Sequence, residues 1–404
     1  MTAVLADHGL LRAWRSAATE SGLAKLYDRL RLRGPVIATP WNSVLVTSHA
    51  ACRDVLADTG VWRNPDDEDF RQHIGDEAAK PARHGVNQTL FHLNGADHTA
   101  QRRRLAPFFS PRALAAHTTT VQGVVGTAAE RFVDHVAYTG GGDAIADFVA
   151  PVAGTVMCAL LGVSEQDHEF ITRMATDLSF VEELAPRPSH ARRADAAITE
   201  LFTYGRKLIQ DRAYTPGRGL IAYLLDHPDS SGRDATKEVI TALVLMITAG
   251  VSTSMSLMSS TVLALCRNPD VGHDDTAFVD ECLRWDPPAH MVGRIATQDT
   301  VLAGTPIARG TLAHVLIGAA NRDPDVFADP HAFVPGRAQS RSLTFSAGPH
   351  YCLGAGLARQ QAVHLVAAWR QQAGGLAVEG HDHPRMKGPN FRHLLHLPVT
   401  TGPR

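Results

Sequence analysis

The feature that most constrains this chain is the stretch from Phe345 to Arg359, which reads FSAGPHYCLGAGLAR. Its three glycines allow backbone conformations that a Cβ forbids, so the loop can lie close against a flat group. Cys352 stands where the loop runs into an apolar helical pattern. Unpaired N–H groups of that first helical turn point towards the sulfur and favour the thiolate, the form that ligates a metal. On its own, a cysteine between glycines fits a tight turn with a buried thiol equally well.

The order F-x-x-G-x-H-x-C-x-G in this loop resembles the haem-binding signature of the cytochrome P450 family. In that family the cysteine thiolate is the axial ligand of haem iron. The resemblance implies that Cys352 ligates iron, that His350 lies near a haem propionate and that Phe345 packs beside the porphyrin. Ser346 departs from the family, which often has glycine there. The cofactor-binding residues implied within the loop are Phe345, His350, Cys352, Gly354 and Ala358.

Length, charge and cysteine content limit the number of domains, the kinds of partner and the cellular compartment that we expect for this chain. The 404 residues would suit two or three domains, but no linker interrupts them, and the resemblance implies one domain over 1–404. A net charge of -2 without a basic segment argues against a nucleic-acid partner. Five scattered cysteines are typical of a reducing compartment. We see no leader-like N-terminus and no uninterrupted membrane span, and therefore expect a cytoplasmic protein without membrane contact.

His98 and Arg102 lie four residues apart and therefore share one face of a predicted helix near 94–105. Alone, this spacing also fits a solvated basic helix. The family carries a histidine and an arginine at this spacing to neutralise a haem propionate, so the resemblance assigns both to the cofactor. Arg103 and Arg104 turn to other faces, where an acidic electron donor would meet them.

The second constraining stretch runs from Asp234 to Arg267, is rich in apolar residues and contains no proline. It predicts one helix about 50 Å long. Gly250 in its middle costs about 1 kcal/mol relative to alanine, which suggests room for a group against the backbone. Thr253 can bond back to a carbonyl and hold a local distortion. A buried helix rich in serine and threonine is the alternative interpretation.

The resemblance identifies this centre with the family's oxygen-binding groove, A-G-x-[DE]-T-[TS], matched at Ala249, Gly250 and Thr253. Ser252 stands where the family usually has an acid. Proton delivery would then come through water, Ser252 or the substrate. Met246, earlier on the same helix, is expected to bind substrate.

Glu281 and Arg284 are spaced as a helical i,i+3 pair, which alone is a weak signal. Their place between the long helix and the cysteine loop resembles the family's E-x-x-R. The resemblance implies that the pair locks to Arg337 in a later segment and has a structural role.

The resemblance implies that Arg294 reaches a propionate and that the residues before it line the substrate pocket. His290 would either hydrogen-bond substrate or point to solvent. The segment 62–92 is polar, lacks clear periodicity and predicts a long loop. The resemblance implies that this loop covers the substrate from one side, and the break near Pro186 matches the family's lid. The end of the chain, 390–399, alternates like a hairpin. The expected substrate-binding residues are Met246, Ala289, His290, Met291, Val292, Asn390 and Phe391.

The implied fold is mainly α with small β sheets, the cytochrome P450 fold, with haem b between the long central helix and the cysteine loop. The implied activity is a bacterial monooxygenase that oxidises a small molecule in secondary metabolism as a monomer, with oxygen and electrons from ferredoxin and ferredoxin reductase. Because of Ser252, oxidative coupling of aromatic rings in a peptide or cyclic dipeptide stays open. A haem sensor or a non-catalytic recruitment module is the third alternative.

Overall fold

The structure is a computed structural model. Its described residues form mainly helices, together with three small sheets. This architecture confirms the predicted fold class. The described residues are 13, 20–39, 43–74, 80–183, 187–228, 234–271, 274–337, 341–380, 383–385, 390–391 and 393–402.

The first part of the chain mixes short helices with strands. Its elements are α1 (Glu20–Arg31), β1 (Val36–Ala38), β2 (Ser43–Val46), α2 (His49–Ala57), β3 (Trp62–Arg63), α3 (Asp67–Ile74) and α4 (Pro81–Asn87). Strands β1 and β2 pair as an antiparallel hairpin, with Ile37 opposite Leu45. The prediction of a loop over 62–92 was wrong, because α3 and α4 lie within it. Acidic residues in the first turn of α3 and proline at the start of α4 favour these helices without apolar periodicity.

The central part of the chain consists mostly of helices. They are α5 (Gly95–Leu105), α6 (Pro111–Thr139), a π-helical turn (Ala144–Val149) leading into α7 (Ala150–Leu161), α8 (His168–Ser179), α9 (Pro188–Gln210) and α10 (Gly219–Asp226). Ser110 caps α6 by accepting a bond from the N–H of Ala113, and Gly140 ends it in the left-handed conformation. The predicted lid break at Pro186 lies outside the described residues.

The predicted long helix is confirmed from Ala235 to Arg267, with a distortion in its middle. It consists of α11 (Ala235–Leu245), a π-helical turn (Met246–Val251) and α12 (Ser252–Arg267). Within the described part of the chain, this helix and the stretch Ala144–Leu161 are long and apolar enough to cross a membrane. More than half of each apolar window is buried against the rest of the protein, which is typical of core helices.

The C-terminal part carries the strands that complete the sheets. Its elements are α13 (Asp275–Trp285), β5 (Val292–Ala296), β6 (Thr300–Leu302), β7 (Thr305–Ile307), β8 (Leu312–Val315), α14 (Ile317–Ala320), α15 (Ala355–Ala368), a π-helical turn (Trp369–Ala373), β9 (Leu376–Val378) and β10 (Pro398–Thr401). Of the predicted terminal hairpin, Arg385 pairs with Leu394, while residues 386–389 and 392 lie outside the described part.

The largest sheet has the strand order β1-β2-β8-β5-β3. Strand β8 pairs in parallel with β2 and antiparallel with β5, which places Ala313 opposite both Val44 and Arg294. Successive side chains of a strand point to opposite faces, so Val292 and Arg294 share one face of β5. The main apolar core lies between α6, α7, α8, the long helix and α15, so the long helix crosses the middle of the helical part.

Candidate functional site

The cysteine loop is held by its own backbone before α15 begins. The N–H of Cys352 donates to the carbonyl of Phe345 over 2.9 Å. Gly348 has a φ of 66°, and a Cβ there would lie 2.9 Å from the Cα of Ala57, so only glycine fits. The tight loop therefore needs glycine at 348 to pack against α2.

The Cys352 thiol is accessible, yet protein surrounds it on most sides. The residue is exposed, while burial raises the pKa of its thiol. The main-chain N–H of Gly354 and the charges of Arg102 and Arg359 act in the opposite direction. The predicted influence of the helix start on the thiol is thus confirmed in direction, but burial outweighs it. A nearby metal cation is what would make the thiolate the stable form.

Ser346 adopts a φ of 66°, in the left-handed region that favours glycine. Its hydroxyl is buried and has no hydrogen-bond partner among the described residues. This geometry gives a physical reason for the glycine that the family often has here. The neighbouring Phe345 ring carries the guanidinium of Arg359 at 4.6 Å, and Arg359 is also paired with Asp280 at 2.9 Å.

Four basic side chains converge beside the cysteine loop. The rings of His98, on α5, and His350 lie 4.1 Å apart. Burial and the charges of Arg102 and Arg294 lower the pKa of His98. Burial, followed by the charge of Arg294, lowers the pKa of His350 to about 3. Arg294 is itself 7% exposed, and burial lowers its pKa to about 10.

This basic cluster fits the two propionates of the haem that the resemblance implies. Nε2 of His98 is buried without a hydrogen-bond partner in the described part of the chain. No described carboxylate lies within ion-pair distance of the four groups, and Arg294 donates to the carbonyl of Gly293. The lowered pKa values leave both imidazoles neutral as donors or acceptors, so Arg102 and Arg294 are the two cations of the cluster, and an anion beside them would offset their charge. The predicted assignment of these four residues to one site is therefore supported by their geometry.

The π-helical turn opens one side of the long helix. Ala249, Gly250 and Thr253 are half-buried, whereas most of the surrounding helix is buried. Thr253 donates from Oγ1 to the carbonyl of Ala249 over 2.5 Å, which confirms the predicted back-bond beside a distortion. The space at Gly250 is bounded by Met157, because a Cβ there would lie 2.7 Å from the Met157 methyl group.

Two features of this turn were not visible in the sequence. Thr248, which the sequence interpretation did not single out, has a buried hydroxyl without a partner among the described residues. Its only sequence signal was its place two residues before Gly250. Met157 comes from α7, and only the packing of the two helices brings it against Gly250. Met246 is buried at 6% exposure and belongs to the main core.

Ser252 faces away from the side of the helix that carries Thr253. Its side chain is 5% exposed, and Oγ donates to the carbonyl of Ala175 on α8 over 3.1 Å. The hydroxyl proton is therefore engaged in a contact between two helices. This placement favours water or substrate over Ser252 among the proton sources that the sequence left open.

The predicted network of Glu281, Arg284 and Arg337 is present. Arg284 donates to the Glu281 carboxylate over 2.7 and 2.8 Å, and Arg337 donates to it over 3.1 Å. Arg284 also donates to the main-chain carbonyls of Pro330 and Ala332. Both members of the central pair are almost fully buried, so the network fixes the segment that leads to the cysteine loop.

The expected pocket wall is only partly as predicted. His290 was expected to meet substrate or solvent, but it is 3% exposed, with Nδ1 3.0 Å from the Tyr27 hydroxyl and Nε2 3.5 Å from Asp286. Both ring nitrogens are thus engaged inside the protein. Met291 is buried in the small core around α1, so it faces away from the expected pocket.

Asn390 and Phe391 do approach this wall. Ala289 pairs with Phe391, and the N–H of His290 donates to the carbonyl of Asn390 over 2.8 Å. The side-chain amide of Asn390 donates to the carbonyl of Glu182, so it contacts protein rather than an open pocket. Val292 stays half-buried on the face of β5 that carries Arg294.

One arginine expected at the surface is engaged elsewhere. Arg104 is paired with Glu238 at 2.5 Å and also donates to the carbonyl of Leu224. It therefore ties α5 to α10 and α11. Arg103 remains exposed.

Comparison with known proteins places these features in one family. The Cytochrome P450 family model matches residues 276–369. The chain is 30% identical to the biotin biosynthesis cytochrome P450 of Bacillus subtilis over 332 residues, 78% of this chain and 81% of that protein. It is 27% identical to 6-deoxyerythronolide B hydroxylase of Saccharopolyspora erythraea, over 93% of this chain and 95% of that one.

A solved structure supports the same conclusion over nearly the whole chain. P450BioI, in complex with an acyl carrier protein ligated to hexadec-9Z-enoic acid, superposes with a TM-score of 0.84 at 25% identity. The match covers 95% of this chain and 99% of that one. Fold, sequence and site geometry thus agree, and this chain belongs to the cytochrome P450 family as one of its haem-dependent oxidoreductases.

Proposed function

We propose that this protein is a haem b thiolate monooxygenase that oxidises a small organic molecule in bacterial secondary metabolism. The observation that carries the proposal is the pairing of an accessible Cys352 thiol with a basic cluster that has no carboxylate partner among the described residues. A thiolate on one side and cations at the rim suit an iron porphyrin with two propionates. The biosynthetic names of the relatives support the metabolic role.

Each residue of the site has a distinct task in this proposal. Cys352 ligates iron, with Gly354 and Ala358 in the adjoining turn of α15 and Phe345 beside the ring. His98, Arg102, Arg294 and His350 hold the propionates. Bound haem supplies oxygen activation and the oxidation of the substrate, while the protein supplies orientation, electrostatics and proton control.

Proton control falls to the half-buried side of the π-helical turn. Thr253 Oγ1 currently donates to Ala249, so its lone pairs are available to hold a water molecule. The Ser252 hydroxyl donates to the carbonyl of Ala175 and therefore does not face that side of the helix. We therefore propose that a water molecule held by Thr253 delivers the proton to the reacting centre. Ala249 and Gly250 shape the groove around it.

The remaining assignments extend the same proposal. The chain acts as one domain over 1–404 and as a monomer in the cytoplasm, and it receives electrons from ferredoxin and ferredoxin reductase. Exposed Arg103 is a suitable contact for an acidic donor. Met246, Ala289, Val292 and Phe391 remain the proposed substrate contacts. A carrier-bound substrate is an alternative to a free one, because a solved relative is bound to an acyl carrier protein.

The geometry of Ser252 also supports a second candidate function. Without a carboxylate at this position, a substrate that gives up its own protons suits the site, as in oxidative coupling of aromatic rings. In that reaction two C–H or O–H bonds are lost and one C–C or C–O bond forms. The two electrons and two protons released, together with two electrons and two protons supplied through the electron donor, reduce O2 to two water molecules, so no oxygen atom enters the product.

Three measurements test these proposals in order. The reduced protein with carbon monoxide must give the far-red band of a thiolate-ligated haem, and Cys352→Ala must lose it. Titration of the ferric protein with small peptides, cyclic dipeptides, polyketides and fatty acyl compounds, free or carrier-bound, then identifies the substrate class from the Soret shift. Labelled oxygen recovered in the product supports monooxygenation, whereas an unlabelled coupled product supports the second candidate. Absence of the thiolate band would refute both.

A further inference from the structure

A buried polar cluster outside the haem site joins separate parts of the chain. Its centre is the Asp286 carboxylate, directly after α13 and 4% exposed. Arg385 lies 2.8 Å from Oδ2 of Asp286, and Ser260 on α12 donates to the same oxygen over 2.5 Å. His290 Nε2 approaches the other oxygen at 3.5 Å. The carboxylate thus fixes the long helix, the C-terminal segment and the strand region relative to one another.

The His290 ring is held from the other side by the first helix. Tyr27 on α1 is 1% exposed, and its hydroxyl lies 3.0 Å from Nδ1 of His290. Nε2 faces the carboxylate at 3.5 Å, so a neutral imidazole with its proton on Nε2 would accept the tyrosine proton at Nδ1. A Cβ at Gly318 would lie 2.5 Å from the tyrosine oxygen and 2.8 Å from Nδ1. Glycine at 318 therefore makes room for this contact.

The backbone of His290 leads directly to the proposed pocket wall. Its N–H donates to the carbonyl of Asn390, and Ala289 pairs with Phe391. Two residues further on, Val292 shares a strand face with Arg294, whose charge acts on the His98 and His350 rings. The orientation of the buried His290 ring therefore affects the position of the residues that face the proposed cofactor.

We propose that Tyr27, His290 and Asp286 form a relay of positioning residues that fixes the wall segment 289–292 and so sets the shape of substrate that the enzyme accepts. This inference rests on the proposed function, because the wall acts only beside a bound haem. Its consequence is specific: loosening the relay changes the fit of a large ligand and leaves a small one unaffected.

The test uses Tyr27→Phe, which removes one hydroxyl and keeps the ring. The ferric haem-loaded protein is titrated with imidazole and with 4-phenylimidazole, and binding is followed by the Soret shift. Both probes bind iron through an imidazole nitrogen, but only the second carries a phenyl ring, which makes it the more sensitive of the two to the shape of the wall. We expect about a fivefold change in the Kd ratio of the two probes, the equivalent of one neutral hydrogen bond.

Tyr204→Phe is the matched control, because the Tyr204 hydroxyl donates to Asp167 over 2.8 Å at a site away from the wall. It should leave the Kd ratio unchanged. A ratio that also stays constant in Tyr27→Phe, or that changes equally in both variants, overturns the relay.

Hydrogen exchange on the full chain without haem gives a second readout. Faster exchange over 287–292 in Tyr27→Phe, but not in Tyr204→Phe, supports the relay, and equal exchange overturns it. This readout does not depend on haem loading. If the wild-type protein fails to give the thiolate band, the proposed function fails while the exchange data still decide whether Tyr27 fixes this segment.

Discussion

Arg294→Leu should stabilise the protein without haem and weaken its hold on haem. The guanidinium is 7% exposed, has no described carboxylate within ion-pair distance, and donates to the carbonyl of Gly293. Burial lowers its pKa from 12.5 to about 10, so at neutral pH folding opposes the charged form by about 3 kcal/mol. An uncharged leucine removes that cost.

Under the proposed function, the same substitution also removes a partner of the haem carboxylates. Truncating one side of a buried charge pair costs about 2–5 kcal/mol, so haem affinity should fall roughly 30-fold or more. The two effects have opposite signs, which no general destabilisation can imitate.

The assay combines urea unfolding of the protein without haem with the rate of haem transfer to a scavenging protein. Arg173→Leu is the matched control, because Arg173 forms an exposed pair with Glu200 at 2.8 Å and should change stability by no more than about 1 kcal/mol. An Arg294→Leu protein that unfolds more easily without haem and releases haem at the wild-type rate would refute the assignment.

Three further predictions concern separate parts of the site. Ser346→Gly should raise the free energy of unfolding by about 1 kcal/mol in urea titrations, because it removes a left-handed serine and a buried unpartnered hydroxyl; a loss of stability would contradict this. Thr253→Ala should lower the fraction of electrons recovered in product while haem content stays constant, and unchanged coupling would exclude a role in proton control. Burial lowers the pKa of His393 from 6.5 to about 4, so the unfolded chain binds more protons between these values and acidification should destabilise the fold there. His393→Gln should remove about 2 kcal/mol of that loss at pH 5, measured as the difference between unfolding at pH 7 and pH 5, and parallel curves for both proteins would count against it.

Some elements of the fold could be predicted from the sequence, and others could not. The long helix was predictable because apolar residues without proline define it over 33 residues, and the back-bond of Thr253 is a contact within one turn. The segment 62–92 was misjudged because its helices depend on first-turn acids and an N-terminal proline rather than on a periodic apolar face.

The directions of the side chains at the pocket wall could not be predicted from the sequence. His290 was expected to meet substrate or solvent, and its actual partners come from residues 27 and 286. Ser252 was considered as a proton source, and its partner is a carbonyl on α8. Each of these outcomes depends on which distant element packs beside the residue, and no local pattern contains that information.

The sequence by itself predicted the candidate cysteine ligand, the helical framework and the basic residue types that would neutralise an anionic cofactor. These follow from local spacing, capping and motif order, which act over a few residues. Only the tertiary structure decided which polar groups at the proposed cofactor site lack a hydrogen-bond partner among the described residues, and which polar groups are hydrogen-bonded within the core. That distinction between His98 and His290 arises because hydrogen bonds form between elements that are far apart in the chain.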